Sequence, residues 1–331
     1  MTPAAREIAA GGRVTSFGVA NVVEAQHLRE EMPAVSITIL SPALPAEREE
    51  IVRARWLPWI STIDEARDYA RLARLVYGPG APPFEIEIKV DTGMGRMGVL
   101  PSRLDALVGA VKSLPELRLG GLITHLPSPD EDEAFTRDQL ARFDELAVAD
   151  APLRQAQNSA GLIGYALGRR NSVRPGLMLY GSSPLPDFQT QLRPALALKT
   201  RVSLVRDLPG GHGISYGRTF VTPGPMRVGT LGAGYADGYK RRLSHSGAEV
   251  LVRGRRCALL GRVTMDQILV DLSAAPDAAP GDEAVLLGRQ GPEEITVAEL
   301  ATRAGTIPWE IFTSISARVG RYYLDASPVA D

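Results

Sequence analysis

In the first half of the chain, short β-branched runs alternate with stretches whose apolar residues recur at helical spacing, the pattern of repeated βα units around a parallel sheet. The pattern predicts seven strands: Val14–Ala20, Ser36–Leu40, Leu57–Ser61, Phe84–Asp91, Leu117–His125, Arg154–Asn158 and Ser172–Tyr180. Helices are predicted near Val22–Glu31, Ala46–Arg53, Ile63–Val76, Ser102–Ser113, Glu131–Ala147 and Ala160–Leu167. Thr62 ahead of Asp64 and Glu65, and Ser102 ahead of its apolar run, read as helix starts. A closed βα barrel needs about eight strands, so the seven found leave it one short. The chain opens with Pro3–Ala10, a helix with proline in its first turn and Gly11-Gly12 as a stop, with no strand before it.

After about Pro184 the helical period fades, and strand-like runs bounded by Gly, Pro and Asp take over: Ala195–Leu204, Met226–Leu231, Glu249–Val252, Gln267–Leu272 and Glu283–Leu287. Only Ile295–Ala304 and Ile307–Phe312 read as helical there. The expected architecture is α/β: a (β/α)8-type barrel missing its first strand over residues 1–184, followed by a mainly β C-terminal domain over residues 185–331.

Composition narrows the function. With 331 residues, 44% of them hydrophobic, and a net charge of -1, the chain reads as a soluble globular protein with no sequence-wide basic field for nucleic acid. The runs Lys240-Arg241-Arg242 and Arg253 to Arg256 read as solvated faces. No apolar run is long enough for a membrane span, and no signal peptide is recognised at the start. Cys257 is the only cysteine, which rules out an intrachain disulfide and a cysteine-based metal cluster, and a cytosolic address is expected. Arginine far outnumbers lysine: the four lysines are Lys89, Lys112, Lys199 and Lys240.

In a βα barrel the C-terminal ends of the strands form the reactive face. Five polar places fall there: Lys89 to Gly98 (KVDTGMGRMG), Thr124-His125, Gln157 to Gly161 (QNSAG), Val173 to Gly176 (VRPG) and Leu179 to Gly181. Taken alone, each has a bland explanation. Ser159 reads as a helix cap, His125 as a satisfied structural group, Arg174 as a surface arginine and Lys89 as half of an ordinary ion pair.

Taken together, KVDTGMGRMG, His125, QNSAG and VRPGLMLYG, followed by SYGRTF, LGAGYADGYKRR, GRVTMDQILVD and TIPWEIFTSISARVGR, resemble the alanine racemase family in content, order and approximate spacing. The resemblance runs from about Phe17 to Tyr322. It implies a pyridoxal 5'-phosphate enzyme that interconverts L- and D-alanine through a cofactor aldimine and supplies D-alanine for peptidoglycan. Ser159 and the backbone of Gly176 and Leu177 match positions that hold the cofactor phosphate; a hydroxyl and close-approaching amides suit an anion. Arg174 matches the residue facing the pyridine nitrogen. A guanidinium stays protonated and leaves that nitrogen without a proton, which weakens the ring as an electron sink and suits racemisation over transamination.

Tyr216 matches the base that takes the α-proton of L-alanine, with His125 and Arg174 as the network favouring its anion. A free phenol titrates near ~10 and needs such help. Arg96 and Met265 match the residues that hold the substrate carboxylate, through a charged fork and a backbone amide. Lys89 matches a lysine that is often carbamylated and steadies Arg96. Tyr235 and Asp237 look like entrance or framework positions. In the family Tyr216 and Met265 reach the site from a partner subunit, so a head-to-tail homodimer is implied.

Two departures stand out. The resemblance places the Schiff-base signature, a lysine followed four residues later by Tyr and then Gly-His-Gly, just upstream of Pro3, and the sequence does not contain it. The expectation is a mis-assigned start or a truncated reading frame. Trp309 stands where a tyrosine would contact the cofactor phosphate; its indole N–H can still donate one hydrogen bond. A non-catalytic pyridoxal-phosphate-binding paralogue, or a truncated inactive racemase, remains the alternative. A decarboxylase of the same architecture fits poorly, since it calls for an acidic partner where Arg174 stands and a cysteine motif that Cys257 does not match. Preference between alanine and serine stays open, because a pocket separates such near-isosteres weakly.

Overall fold

The computed structural model describes residues 2–12, 14–148 and 151–324, in two compact units, Met1–Gly176 and Leu177–Asp331. In the first unit the elements run α1 (Thr2–Ala10), β1 (Phe17–Val19), α2 (Val22–Glu31), β2 (Ile37–Ile39), α3 (Pro45–Arg53), β3 (Leu57–Ile60), α4 (Ile63–Tyr77) and β4 (Phe84–Lys89). They continue with α5 (Leu104–Lys112), β5 (Leu117–Ile123), α6 (Glu133–Glu145), β6 (Leu153–Gln155) and α7 (Ser159–Gly164). The six strands pair in chain order β1-β2-β3-β4-β5-β6, every pair parallel, as βα repetition dictates. The sheet is a curled part-barrel with helices outside, as the βα pattern predicts.

Local sequence explains the helix ends. Thr62 accepts from the Glu65 amide while the Glu65 carboxylate accepts from the Thr62 amide, a reciprocal capping box at α4. Ser102 does not cap α5 as expected. It lies inside a 3₁₀ turn, Pro101–Arg103, that Pro101 initiates ahead of the α-helix. Tyr69 of α4 stacks on Phe84 at the start of β4, 5.8 Å between centroids, and both are buried. These contacts join the outer helices to the strands.

The predicted seventh strand, Ser172–Tyr180, is corrected. Only Ser172 bridges the sheet, in parallel with Gln155, and Leu177–Tyr180 forms a 3₁₀ turn. Pro175 has no N–H to give to a ladder, and Gly176 weakens an extended run further. The stretch still lies along β6, because the Asn171 amide donates to the Arg154 carbonyl at 3.1 Å and the Arg174 amide to the Gln157 carbonyl at 2.9 Å. Arg174 is thereby placed at the edge of the sheet without a strand beneath it.

In the second unit, β7 (Leu198–Leu208), β8 (Gly213–Ile214), β9 (Phe220–Val221), β10 (Met226–Leu231), β11 (Glu249–Val252), β12 (Arg255–Leu260) and β13 (Ile268–Asp271) precede β14 (Glu283–Gln290) and β15 (Glu293–Ile295). The large sheet has the order β11-β12-β13-β10-β7-β14-β15, and an added β11–β14 pairing closes six of its strands into a ring. All its pairs are antiparallel. The expected strand at Ala195–Leu204 begins and ends later, and β12 and the short β8–β9 hairpin were not expected. Helices α8 (Val297–Ala304) and α9 (Pro308–Ser314) follow, near the predicted positions. Arg256 donates to Glu249, Glu293 and Glu299, tying β12 to β11, β15 and α8. No helix among the described residues is long and apolar enough to cross a membrane.

Candidate active site

Strand β4 reads Phe-Glu-Ile-Glu-Ile-Lys, and its pleat turns Glu85, Glu87 and Lys89 to one face and Phe84, Ile86 and Ile88 to the other. Parallel register builds two layers on the polar face. Trp59, Glu87, Gly121 and Leu153 are successive partners in one; Lys89, Ile123, Gln155 and Ser172 are successive partners in the next. A register shift between Ile86 and Glu87 sets two β5 glycines, Gly120 and Gly121, against this face. A Cβ on Gly121 would come within 3.3 Å of the Glu87 carboxylate and 2.8 Å of the Leu153 carbonyl. Only a strand without side chains there leaves room for the acid.

Arg174 is fixed by two bonds: Nη1 donates to Gln155 Oε1 at 3.0 Å and Nη2 to the Thr124 carbonyl at 2.7 Å. Its guanidinium carbon lies 5.2 Å from the Trp59 ring, and Lys89 Nζ lies 5.1 Å from the same ring, within cation–π range. Burial lowers Arg174 to about 10, against a rise from nearby Glu87, so it remains a cation at neutral pH. These two bonds leave the Nε–H for a ligand.

Lys89 is 1% exposed and its ammonium nitrogen has no hydrogen-bond partner. Burial first, then the positive charges of Arg174 and Arg96, push it down to about 6, with Asp91 working the other way. An ordinary ion pair with a carboxylate is therefore not what holds it. His125, just past β5, is lowered to about 3 by burial and by Arg174, Lys89 and Arg96, so its imidazole is neutral. Glu87 moves oppositely, up to about 7 through burial, offset by the Trp59 hydrogen bond and Arg174.

Arg96 owes its place to Asp91. That carboxylate accepts from the amides of Gly93, Met94 and Gly95 at 2.9, 2.8 and 3.1 Å, while Val99 returns to Lys89 through a backbone bond of 2.9 Å. The loop folds back on the strand end and carries Arg96 at its exposed tip. Gly98 allows the return: its φ is 123°, and a Cβ would lie 2.7 Å from the Asp91 nitrogen. Asp91 escaped the sequence reading, although an aspartate ahead of Thr-Gly-Met-Gly is a turn signal.

Ser159 is not a cap. Asn158 caps α7, accepting from the Gly161 amide at 3.0 Å, and the Ser159 hydroxyl instead accepts from the Gly176 amide at 3.0 Å. Space is open over the Gly176 Cα, where a Cβ would meet no atom within 4 Å. A hydroxyl beside a backbone amide, with room above a glycine, fits a phosphate oxygen. A charged arginine with a donor to spare fits a ring nitrogen. The donor set therefore suits pyridoxal 5'-phosphate.

The first unit thus brings together Lys89, Arg96, His125, Ser159, Arg174 and Gly176. The second carries the other sequence candidates: Leu177, Tyr216, Met265 and Trp309. Tyr216 sits on a tight turn with Ser215 at φ 60° and Gly217 at φ 75°, and the Ser215 hydroxyl donates to the Arg262 carbonyl at 2.7 Å. Tyr216 is 72% exposed and Met265 52%. Buried Leu177 opens the 3₁₀ turn, and Trp309 stands exposed near the start of α9. Asp237 accepts from the Gly234 amide at 2.8 Å and pairs with Arg318 at 2.9 Å, a framework contact, while Tyr235 is exposed.

Comparison with known proteins covers both units. Residues 1–184 match the alanine racemase N-terminal domain and residues 195–323 the alanine racemase C-terminal domain. The alanine racemase of Halothermothrix orenii is 39% identical over 330 residues, spanning 97% of this chain and 86% of that one. That of Symbiobacterium thermophilum is 41% identical over 323 residues, 93% and 82% of the two chains. Among solved structures, the alanine racemase from D-cycloserine producing Streptomyces lavendulae superposes with a TM-score of 0.89 at 32% identity, over 98% of this chain and 87% of that one. The Bacillus anthracis alanine racemase with bound L-Ala-P gives 0.84 at 32% identity, over 98% and 85%. With both domains matched and relatives near 40% identity along most of their length, the chain belongs to the alanine racemase family.

Proposed function

We propose that Arg174, Ser159 and the backbone of Gly176 and Leu177 hold pyridoxal 5'-phosphate, that Arg96 and the Met265 amide receive the carboxylate of alanine, and that Tyr216 moves the α-proton on the L face. The chain is a pyridoxal-phosphate-dependent racemase interconverting L- and D-alanine, the D-isomer serving peptidoglycan synthesis. The observation that carries the residue assignment is the Arg174 guanidinium, held at two nitrogens and free to donate through the third. Every relative named above is an alanine racemase, which disfavours the non-catalytic alternative.

When bound, the cofactor supplies the electron sink that acidifies the α-carbon. This chain's residues decide how far that sink is used. Arg174 offers a hydrogen bond and keeps its own proton, so negative charge stays close to the α-carbon and the proton returns there. His125, neutral, can accept a hydrogen bond without adding a third positive charge beside Arg96 and Arg174. Lys89, neutral at pH 7 and unpartnered, has the free amine that carbon dioxide requires; a carbamate there would set a negative charge between Arg96 and Arg174.

Tyr216 and Met265 are too exposed on one chain to act there unaided, so we place them in the site of a second copy, within a homodimer. Trp309 is assigned to the phosphate end through its indole N–H. The single buried thiol of Cys257 accords with a cytosolic setting.

Incubating the holoenzyme with L-alanine in D2O tests the assignment. Optical rotation is expected to decay to zero while deuterium enters at the α-carbon, and rotation that persists without deuterium uptake would sink it. A second expectation concerns the phosphate end. Gly176→Ala should leave the melting temperature nearly unchanged, because the added methyl meets no atom within 4 Å. It should weaken pyridoxal 5'-phosphate binding by about tenfold, the equivalent of one charge-assisted hydrogen bond, as equilibrium dialysis would measure.

A further inference from the structure

We propose that Glu87 is a positioning residue: its carboxylate fixes the orientation of the Gln155 amide, and through that amide it holds Arg174 in its working place. The inference rests on the reading that Arg174 faces the cofactor ring. Gln155 lies between the two, with Nε2 3.4 Å from Glu87 Oε1 and Oε1 3.0 Å from Arg174 Nη1. A guanidinium only donates, so Gln155 must turn its oxygen to Arg174 and its NH2 to Glu87, whose carboxylate, ionised above about pH 7, only accepts. The amide therefore has one workable orientation, oxygen to the arginine and nitrogen to the acid; the reverse would set donor against donor and acceptor against acceptor.

Glu87 is itself anchored. Its other oxygen accepts from the Trp59 indole N–H at 2.6 Å, and Trp59 is its register partner on β3. That same indole is the platform under Arg174 and Lys89. The bulge in β4–β5 and the side-chain-free Gly121 make the space in which the carboxylate lies, 1% exposed. A buried acid costs stability unless it is hydrogen-bonded, and both of its oxygens have donors here.

Routing the interaction through an amide has a chemical consequence. A carboxylate directly on Arg174 would neutralise the charge that the ring nitrogen meets; a neutral amide steers the guanidinium and leaves that charge in place. With Nη1 on Gln155 and Nη2 on the Thr124 carbonyl, the long side chain is held at two points and Nε–H is aimed by default.

Three variants test this: Glu87→Gln, the swap Glu87→Gln with Gln155→Glu, and Arg174→Ala, each measured for pyridoxal 5'-phosphate affinity by equilibrium dialysis and for kcat and KM with L-alanine. Glu87→Gln presents an NH2 to Gln155, turns that amide over and opposes a donor to Arg174. Cofactor affinity and kcat are each expected to fall about tenfold with KM for alanine unchanged. In the swap, the amide now at position 87 accepts from Trp59 and donates to the carboxylate now at position 155, which in turn accepts from Arg174; affinity is expected back within about threefold of the parent, while kcat stays lowered because that carboxylate neutralises the Arg174 charge.

If Arg174→Ala loses affinity while Glu87→Gln does not, the positioning role is overturned and the reading of Arg174 survives. If Arg174→Ala also binds and turns over as the parent, the reading of Arg174 fails. Should Glu87→Gln not fold, the swap decides alone: parent-like affinity supports the relay, and a folded swap that has lost affinity overturns it.

Discussion

Tyr216→Phe is expected to lower the racemase kcat by about 10²- to 10⁴-fold, the usual contribution of a positioned general base, with little change in pyridoxal 5'-phosphate affinity. The change removes one oxygen from a side chain that is 72% exposed on its own protomer, so neither packing nor folding is disturbed. Because the tyrosine is assigned to the L face, α-deuterium exchange from L-alanine should fall further than exchange from D-alanine. Mixing two impaired variants tests the dimer as well. Tyr216→Phe and Arg174→Ala, unfolded together and refolded, give hybrid dimers in which one site combines an intact Arg174 with the partner's intact tyrosine. With random assortment about a quarter of all sites are whole, so activity should recover to about a quarter of the parent's. No recovery would place Tyr216 in the site of its own chain.

How much of this could be read from the sequence differs from residue to residue. The βα rhythm located β1 to β6 and their helices because each strand buries a face and each helix buries a stripe, which writes a period into the chain. Ser172–Tyr180 failed as a strand because the β-branched and apolar residues there outweighed Pro175 and Gly176 in the pattern, whereas the ladder needs an N–H that proline lacks. Ser159 was legible only as part of a motif: its pairing with the Gly176 amide joins positions 17 residues apart, which local capping rules cannot anticipate. Glu87 was missed altogether. Alternation in Phe-Glu-Ile-Glu-Ile-Lys puts both glutamates on the Lys89 face, but the bulge that gives Glu87 its room depends on Gly120 and Gly121 of the next strand. Tertiary register, not local preference, made that acid part of the site.

Lys89→Met is expected to stabilise the protein in carbon-dioxide-free buffer. The folded state holds this amine at about 6 against an ordinary value of 10.5, so between those limits the unfolded chain binds the extra proton and stability rises with pH. Below about pH 6 the folded state must carry a buried, unpartnered ammonium, and the full penalty applies. Methionine has similar length and no charge. Its advantage, on the order of a few kcal/mol, should be largest below pH 6 and shrink as pH climbs toward 10.5; parent and variant share Glu87, whose own titration cancels in the comparison. Bicarbonate should reverse the order. At about pH 8 the neutral Lys89 amine adds to carbon dioxide, forming a nitrogen–carbon bond and releasing one proton, and the resulting carbamate sets a negative charge against Arg96 and Arg174. Added bicarbonate should then raise the parent's melting temperature and leave that of Lys89→Met unchanged, with ¹³C-bicarbonate labelling a carbonyl carbon in the parent alone. Activity should follow, falling about tenfold when carbon dioxide is stripped, because Arg96 is then less firmly placed against the substrate carboxylate. Equal melting shifts in parent and variant would mean that Lys89 stays a neutral amine and that Arg96 is held by the Asp91 loop alone.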